Sequence, residues 1–181
     1  MLTHAISYLS LSLSLSLSLS LYIYIYIYIY IYTGNLRATS DNPQYNALVQ
    51  YWLTSKYTLR YSGGMVPDIY HLLIKGQGVF SNVASPSARA KLRLLFECAP
   101  IALIVEAAGG GSVATPAEVE VKHSGNGATD PSDSEVSYIS SQPGSVLDVV
   151  ADHLDKRLGV CYGSMDEVER FKEYLFRAQT E

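Results

Sequence analysis

The chain has 181 residues, with 13 Lys or Arg against 17 Asp or Glu, for a formal net charge of -4. A mildly acidic chain without a basic stripe argues against a nucleic-acid role. Cys98 and Cys161 stand apart with no CxxC motif, which suggests neither a zinc site nor a disulfide framework and points to a reducing compartment.

From Leu9 to Tyr32 the chain reads LSLSLSLSLSLSLYIYIYIYIYIY, two strict two-residue repeats end to end, and no charged residue precedes Arg37. Such alternation matches a strand, whose side chains point to opposite faces at every second residue. The run is nonetheless far longer than the roughly 5 or 6 residues of a usual strand. A membrane span over residues 5–33 is long enough, but its first half carries a serine at every second position and its second half a tyrosine, a residue of membrane interfaces. A secretory signal lacks its basic start and a small-residue cleavage site. The genetic code offers a third reading: a CT dinucleotide repeat translates as Leu-Ser and a TA repeat as Tyr-Ile. Residues 1–33 are therefore expected to lie outside the evolved fold, with residues 34–181 forming one domain. Membrane attachment is not expected.

In chain order, Asp41-Asn42-Pro43 is a helix start, and Tyr45, Leu48, Val49 and Trp52 follow at helical spacing, so the pattern predicts a helix over 43–54. Gly63 and Gly64 mark a turn, a short helix is expected through 69–74, and 79–83 reads as a strand. The stretch KLRLLFECAPIALIVEAAGGG at 91–111 has the apolar density of a buried strand, then Pro100 near a helix start and Gly109 as its stop. Residues 113–143, rich in Gly, Ser, Pro, Asp and Thr, read as a surface insertion or loop. Asp130, Asp133 and Glu135 within it lack the spacing of a calcium loop. After a segment at 146–154 that reads as helix or strand, a strand is expected at 157–163. Ser164 and Glu167 then form a capping box opening a helix to about Arg177. The succession gives an α/β or α+β layered domain.

Glu97 is thus placed at the carboxyl end of a strand before a helix, where open α/β sheets bind ligands. Arg60, Lys75, Arg89, Lys91 and Arg93 could clamp phosphate, and Glu97 could hold Mg²⁺, a hard cation that takes carboxylate, water and phosphate oxygens. Solvated surface charges remain the alternative account of the same residues. His71 reads as an ordinary surface or core histidine.

Four stretches, GNLRATSDNPQYNALVQYW, KYTLRYSGGMVPDIYHLLIKGQGVFSNVASP, KLRLLFECAPIALIVEAAGG and VCYGSMDEVERF, resemble the C-terminal half of the class 1 sugar bisphosphatases, the family of fructose-1,6- and sedoheptulose-1,7-bisphosphatases. The resemblance implies the layered α/β sheet-and-helix domain of the sugar phosphatase fold. It implies a phosphoric monoester hydrolase that removes the 1-phosphate of a sugar bisphosphate with Mg²⁺, in a homo-oligomer of the chloroplast stroma. It makes Arg60 an arginine that reaches into a neighbouring subunit's site. Tyr61, Gly63, Gly64 and Met65 become the lining of the sugar-phosphate site, Lys91 a grip on the distal phosphate, Asn35 a further substrate contact and Glu97 a metal ligand. Asn82, where the fructose enzymes carry tyrosine, fits the sedoheptulose branch. The acidic motif that supplies most metal ligands in that family is absent from this sequence. The chain is therefore expected to be inactive alone, a substrate-binding half or, as the alternative, a non-catalytic fragment that acts only by association with an intact subunit or a membrane.

Overall fold

The computed structural model describes residues 29–118, 120–123, 134–137 and 144–176, together with 12 and 14–16 of the repeat. Its first strand, β1 (Tyr30–Thr33), leads through a 3-10 turn (Leu36–Ser40) to helix α1 (Pro43–Thr54), strand β2 (Thr58–Arg60), helix α2 (Met65–Lys75) and strand β3 (Val79–Asn82). Strand β4 (Leu92–Arg93) passes through a π-helical turn (Leu94–Cys98) into α3 (Ala99–Ala107). Strands β5 (Gly111–Pro116), β6 (Glu120–His123), β7 (Ser134–Ser137) and β8 (Arg157–Gly163) and helix α4 (Met165–Phe176) complete it.

β1 is parallel to β2 on one side and to β3 on the other, so the chain runs out to β2 and crosses back over β1 to β3. β3 and β4 lie in succession along one edge of β8, and β5 takes the other edge, all antiparallel to it. Strand alternation sends Ile31, Val79, Val113 and Cys161 into a layer with α1 and α4. It sends Tyr32, Phe80, Val160 and Tyr162 into the opposite layer, with α2 and α3. This is the expected α/β layered architecture.

Four expectations need correction. Tyr30–Thr33 belongs to the sheet, with Ile31, Tyr32 and Thr33 buried, so the last residues of the repeat are part of the fold expected to start at Gly34. The region expected to be loop from 113 opens with β5, an edge strand where Pro116 is tolerated because its missing N–H faces no partner. The remainder contains the β6–β7 ladder, while Asp130 and Asp133 lie outside the described residues, as do the membrane and signal readings of the repeat apart from its last strand. The strand expected through Glu97 ends at Arg93. The Ala99 amide donates to the Leu94 carbonyl five residues back, and Pro100 has no N–H to continue a regular α ladder. The capping box at Ser164 is not formed. Glu167 is 3% exposed and accepts from Trp52 Nε1 at 3.1 Å and Tyr57 Oη at 2.7 Å, and it also pairs with Arg170, while the Ser164 amide donates to the Gly78 carbonyl.

Helix α1 forms as its sequence dictates: Asn42 Oδ1 accepts the Tyr45 amide at 3.0 Å, Pro43 follows, and Tyr45, Leu48, Val49 and Trp52 are buried. No helix among the described residues is long and apolar enough to cross a membrane. Both cysteines are free and buried. Burial pushes the Cys98 thiol up to about 12 and that of Cys161 well above its usual value. Ellman's reagent at pH 8 is therefore expected to leave the folded chain unlabelled and to titrate both thiols in denaturant. Prompt labelling of either in native buffer would contradict the burial.

Candidate phosphate-binding site

The carboxyl ends of β1, β2 and β3 share one end of the sheet, and strand order reverses at β1, which opens a crevice there. The segment after β3 closes over this end and is pinned by three side chains of the β1–α1 connection. Asn35 Nδ2 donates to the carbonyls of Val83 (2.8 Å) and Ala88 (3.3 Å), and Asn42 Nδ2 to that of Ala84 (3.0 Å). Asp41 Oδ2 accepts the Ser87 amide at 2.7 Å. Burial draws the Asp41 carboxyl upward, but hydrogen bonds from Ser85, Ser87 and Ser40 outweigh it and hold the group below its usual value. A depressed folded-state value means that this anchor is in place above the ordinary carboxylate range and is released as pH falls through the folded value.

Between the 3-10 turn and the pinned segment lies a basin of about 600 Å³ lined by Arg37, Ser40, Ser87, Arg89 and Lys91, together with Pro86 and Ala88. Arg89 pairs with Glu118 at 3.0 Å, both side chains well exposed. Such an exposed pair is weak and screened. The side-chain cations of Arg37 and Lys91 have no hydrogen-bond or ion-pair partner among the described residues. Lys91 is fixed through its backbone, whose carbonyl accepts from Arg157 Nη1 at 3.0 Å. A concave wall of cations with two lacking counter-charge is suited to an oxyanion, which Arg meets with its planar fork and Lys with a point charge.

The other sequence-expected residues sit outside this basin. Arg60 ends β2, two strands from β3 and so roughly 10 Å away across the sheet, with its guanidinium 5.5 Å from the Tyr30 ring centre. Tyr61 is 74% exposed. Gly63 has φ +87°, a conformation that favours glycine, and Gly64 caps α2, whose first residue Met65 is half-buried. Asn35 is buried and its amide is taken up by the two carbonyls it holds, so its place is beneath the basin. Glu97 lies in the π-helical turn, its Oε2 accepting from the Arg93 amide at 2.8 Å and Nε at 3.4 Å. Asn82 ends β3 with its Oδ1 buried and without a hydrogen-bond partner among the described residues. His71 is exposed on α2, 6.3 Å from the Tyr32 ring, as a surface histidine would be. Sequence reasoning missed Arg37; its signal was its position, two residues after Asn35 and the first charge in the chain.

A divalent-metal site requires converging donors. No cluster of three or more His, Cys, Asp or Glu suited to a metal exists among the described residues, and Glu97 stands alone with its carboxylate turned onto Arg93. The described residues therefore do not by themselves fit a metal centre.

Residues 28–123 match the family model of the fructose-1-6-bisphosphatase C-terminal domain, and the chain belongs to that family. The match begins ahead of Gly34, in agreement with β1. The chain is 47% identical over 143 residues to the chloroplastic sedoheptulose-1,7-bisphosphatase of Triticum aestivum, covering 79% of this chain and 30% of the relative. It is 36% identical over 128 residues to the class 1 fructose-1,6-bisphosphatase of Pelobacter propionicus, covering 70% and 31%. Among solved structures, one from Toxoplasma gondii described as a sedoheptulose-1,7 bisphosphatase superposes with a TM-score of 0.63 at 41% identity, over 80% of this chain and 38% of that one. The Leishmania major fructose-1,6-bisphosphatase in its apo form gives 0.60 at 29%, over 81% and 40%. The chain thus spans about a third of the length of these curated relatives.

Proposed function

We propose that this chain is the phosphate-gripping layer of a sugar bisphosphatase acting on the 1-phosphate of sedoheptulose-1,7-bisphosphate, with fructose-1,6-bisphosphate the second candidate substrate. The observation that carries the reading is the cationic basin beside Lys91 at the carboxyl ends of the parallel strands. Higher identity to the sedoheptulose enzyme than to the fructose enzyme over comparable lengths supports the order of preference. Lys91 holds the phosphate distal to the scissile ester. Asn35 supports it by fixing the 83–88 segment, and the turn of Tyr61, Gly63, Gly64 and Met65 lines the sugar-phosphate path. Arg60, exposed at the sheet edge and outside its own basin, serves the site of a neighbouring protomer in a homo-oligomer. The chloroplast stroma is the proposed location, after the chloroplastic relatives.

Mg²⁺ in this chemistry polarises the ester phosphate and acidifies its water. Glu97 would give one carboxylate to such an ion, and no hydrolytic step is assigned to the described residues. The outer side of the α2–α3 layer favours a second reading, association with an intact subunit. Ile74, Phe96, Leu103 and Ile104 are each half or more exposed there. Titration of the full chain with sedoheptulose-1,7-bisphosphate and MgCl₂ is expected to show binding, with no phosphate release above the buffer rate. Absence of binding would overturn the substrate reading, and release would overturn the assignment of a purely binding role.

A further inference from the structure

We infer that Arg37 is a second grip on the distal phosphate, sharing it with Lys91 across the basin that Ser40 and Ser87 complete. This rests on the reading of that basin as the phosphate seat. Arg37 projects from the 3-10 turn directly after β1, and Lys91 from the start of β4, so two separate elements place cations on one concave surface. The two elements are tied to each other: Asn35, Asp41 and Asn42 on one side hold the backbone at 83–88 on the other. The two backbone segments that carry these side chains are thereby tied to each other before any ligand arrives, which lowers the ordering entropy of binding.

The charge balance points the same way. The Arg37 guanidinium has neither hydrogen bond nor ion pair among the described residues. Among the described residues, the one carboxylate set on a cation of the basin, Glu118, is on Arg89. Asp41 beside it is turned to the Ser87 amide and to Ser40. Cations held near one another without a counter-ion repel, and a dianionic phosphate ester relieves that repulsion with charge-assisted hydrogen bonds. The hydroxyls of Ser40 and Ser87 can donate to the phosphate oxygens that the cations leave free. Ser40 Oγ now donates to the Arg37 carbonyl at 2.8 Å, so its turn toward a ligand is a simple rotation about one bond.

The test is calorimetric titration of the full chain, and of its Arg37→Gln, Arg37→Lys and Lys91→Gln variants, with sedoheptulose 7-phosphate and with inorganic phosphate. Arg37→Gln and Lys91→Gln are each expected to weaken sugar-phosphate binding roughly ten- to a hundred-fold, and to flatten its dependence on salt. Arg37→Lys is expected to recover part of the loss. Since the Arg37 side chain is exposed and has no hydrogen-bond or ion-pair partner among the described residues, the thermal midpoint should not move. If Lys91→Gln weakens binding and Arg37→Gln does not, the inference about Arg37 is overturned while the reading of the basin stands. If neither substitution matters, or the wild-type chain does not bind, the reading itself fails and the inference with it.

Discussion

A chain that begins at Gly34 is expected to be unfolded at room temperature, whereas one that begins at Ile29 keeps the cooperative unfolding of the full chain. The difference is β1. It is an inner strand, paired with β2 through Tyr30, Ile31 and Tyr32 and with β3 through Ile31, Tyr32 and Thr33. Its removal exposes two strand edges and takes Ile31 out of one core layer and Tyr32 out of the other. Each such side chain contributes about 1.5–3 kcal/mol by burial, and each ladder hydrogen bond about 0.5–1.5 kcal/mol. Together these approach the whole stability of a domain, about 5–15 kcal/mol. Circular dichroism and urea unfolding of the two shortened chains decide it. A cooperative transition in the chain lacking β1 would show that the sheet closes without the repeat.

Trp52→Ala carries the second large effect. Trp52 is fully buried in the layer of α1 and α4, and its Nε1 is a donor to Glu167, itself 3% exposed. Truncation leaves a cavity and removes one donor from a buried carboxylate, so the expected loss is about 3–5 kcal/mol. In thermal unfolding this corresponds to a fall in Tm of roughly 6–20 °C. Trp52→Phe restores volume without the donor and should lose less than half as much. Equal losses for the two variants would mean that the Glu167 hydrogen bond, rather than the packing, holds this layer.

The two elements read most completely from sequence, α1 and β8, carry their own local signals. Asn42 and Pro43 start the helix, the apolar spacing fixes its face, and Gly163 closes a run of strand-forming residues. β2 escaped notice because it has three residues, none of them buried, after a turn at Lys56 with φ +63°. β5 was hidden by its Gly, Ser, Thr and Pro content, which an edge strand tolerates. The end of β4 depended on Pro100, whose effect is felt as a missing amide rather than as a change in hydrophobicity. In the candidate site, Lys91 was legible through the family resemblance of its segment. Arg37 was not, because its membership depends on a tie between residues 35–42 and 83–88 that only the fold brings together.

β1 repeats the pairs that stand immediately before it, Tyr28-Ile29 and Tyr26-Ile27, so a slide of two residues would return tyrosine, isoleucine and tyrosine to the places of Tyr30, Ile31 and Tyr32 and change only Thr33, to isoleucine. Apart from Thr33, the strand itself therefore holds no information about where it should stop. Gly34 supplies it: a Cβ at that position would lie 2.9 Å from Asn82 Nδ2 and 3.2 Å from Phe80 Cζ, and its amide is bonded to the Ser81 carbonyl. A forward slide of one or two residues brings Thr33 or Tyr32 against the Asn82 amide and the Phe80 ring, which would have to shift to admit a side chain. Glycine is thus the ruler's zero mark for an otherwise unmarked strand. Tract length upstream of Tyr30 is a neutral variable for the sheet when it changes by whole Tyr-Ile units. An odd residue inserted between Ile31 and Gly34 would exchange the two faces of the strand.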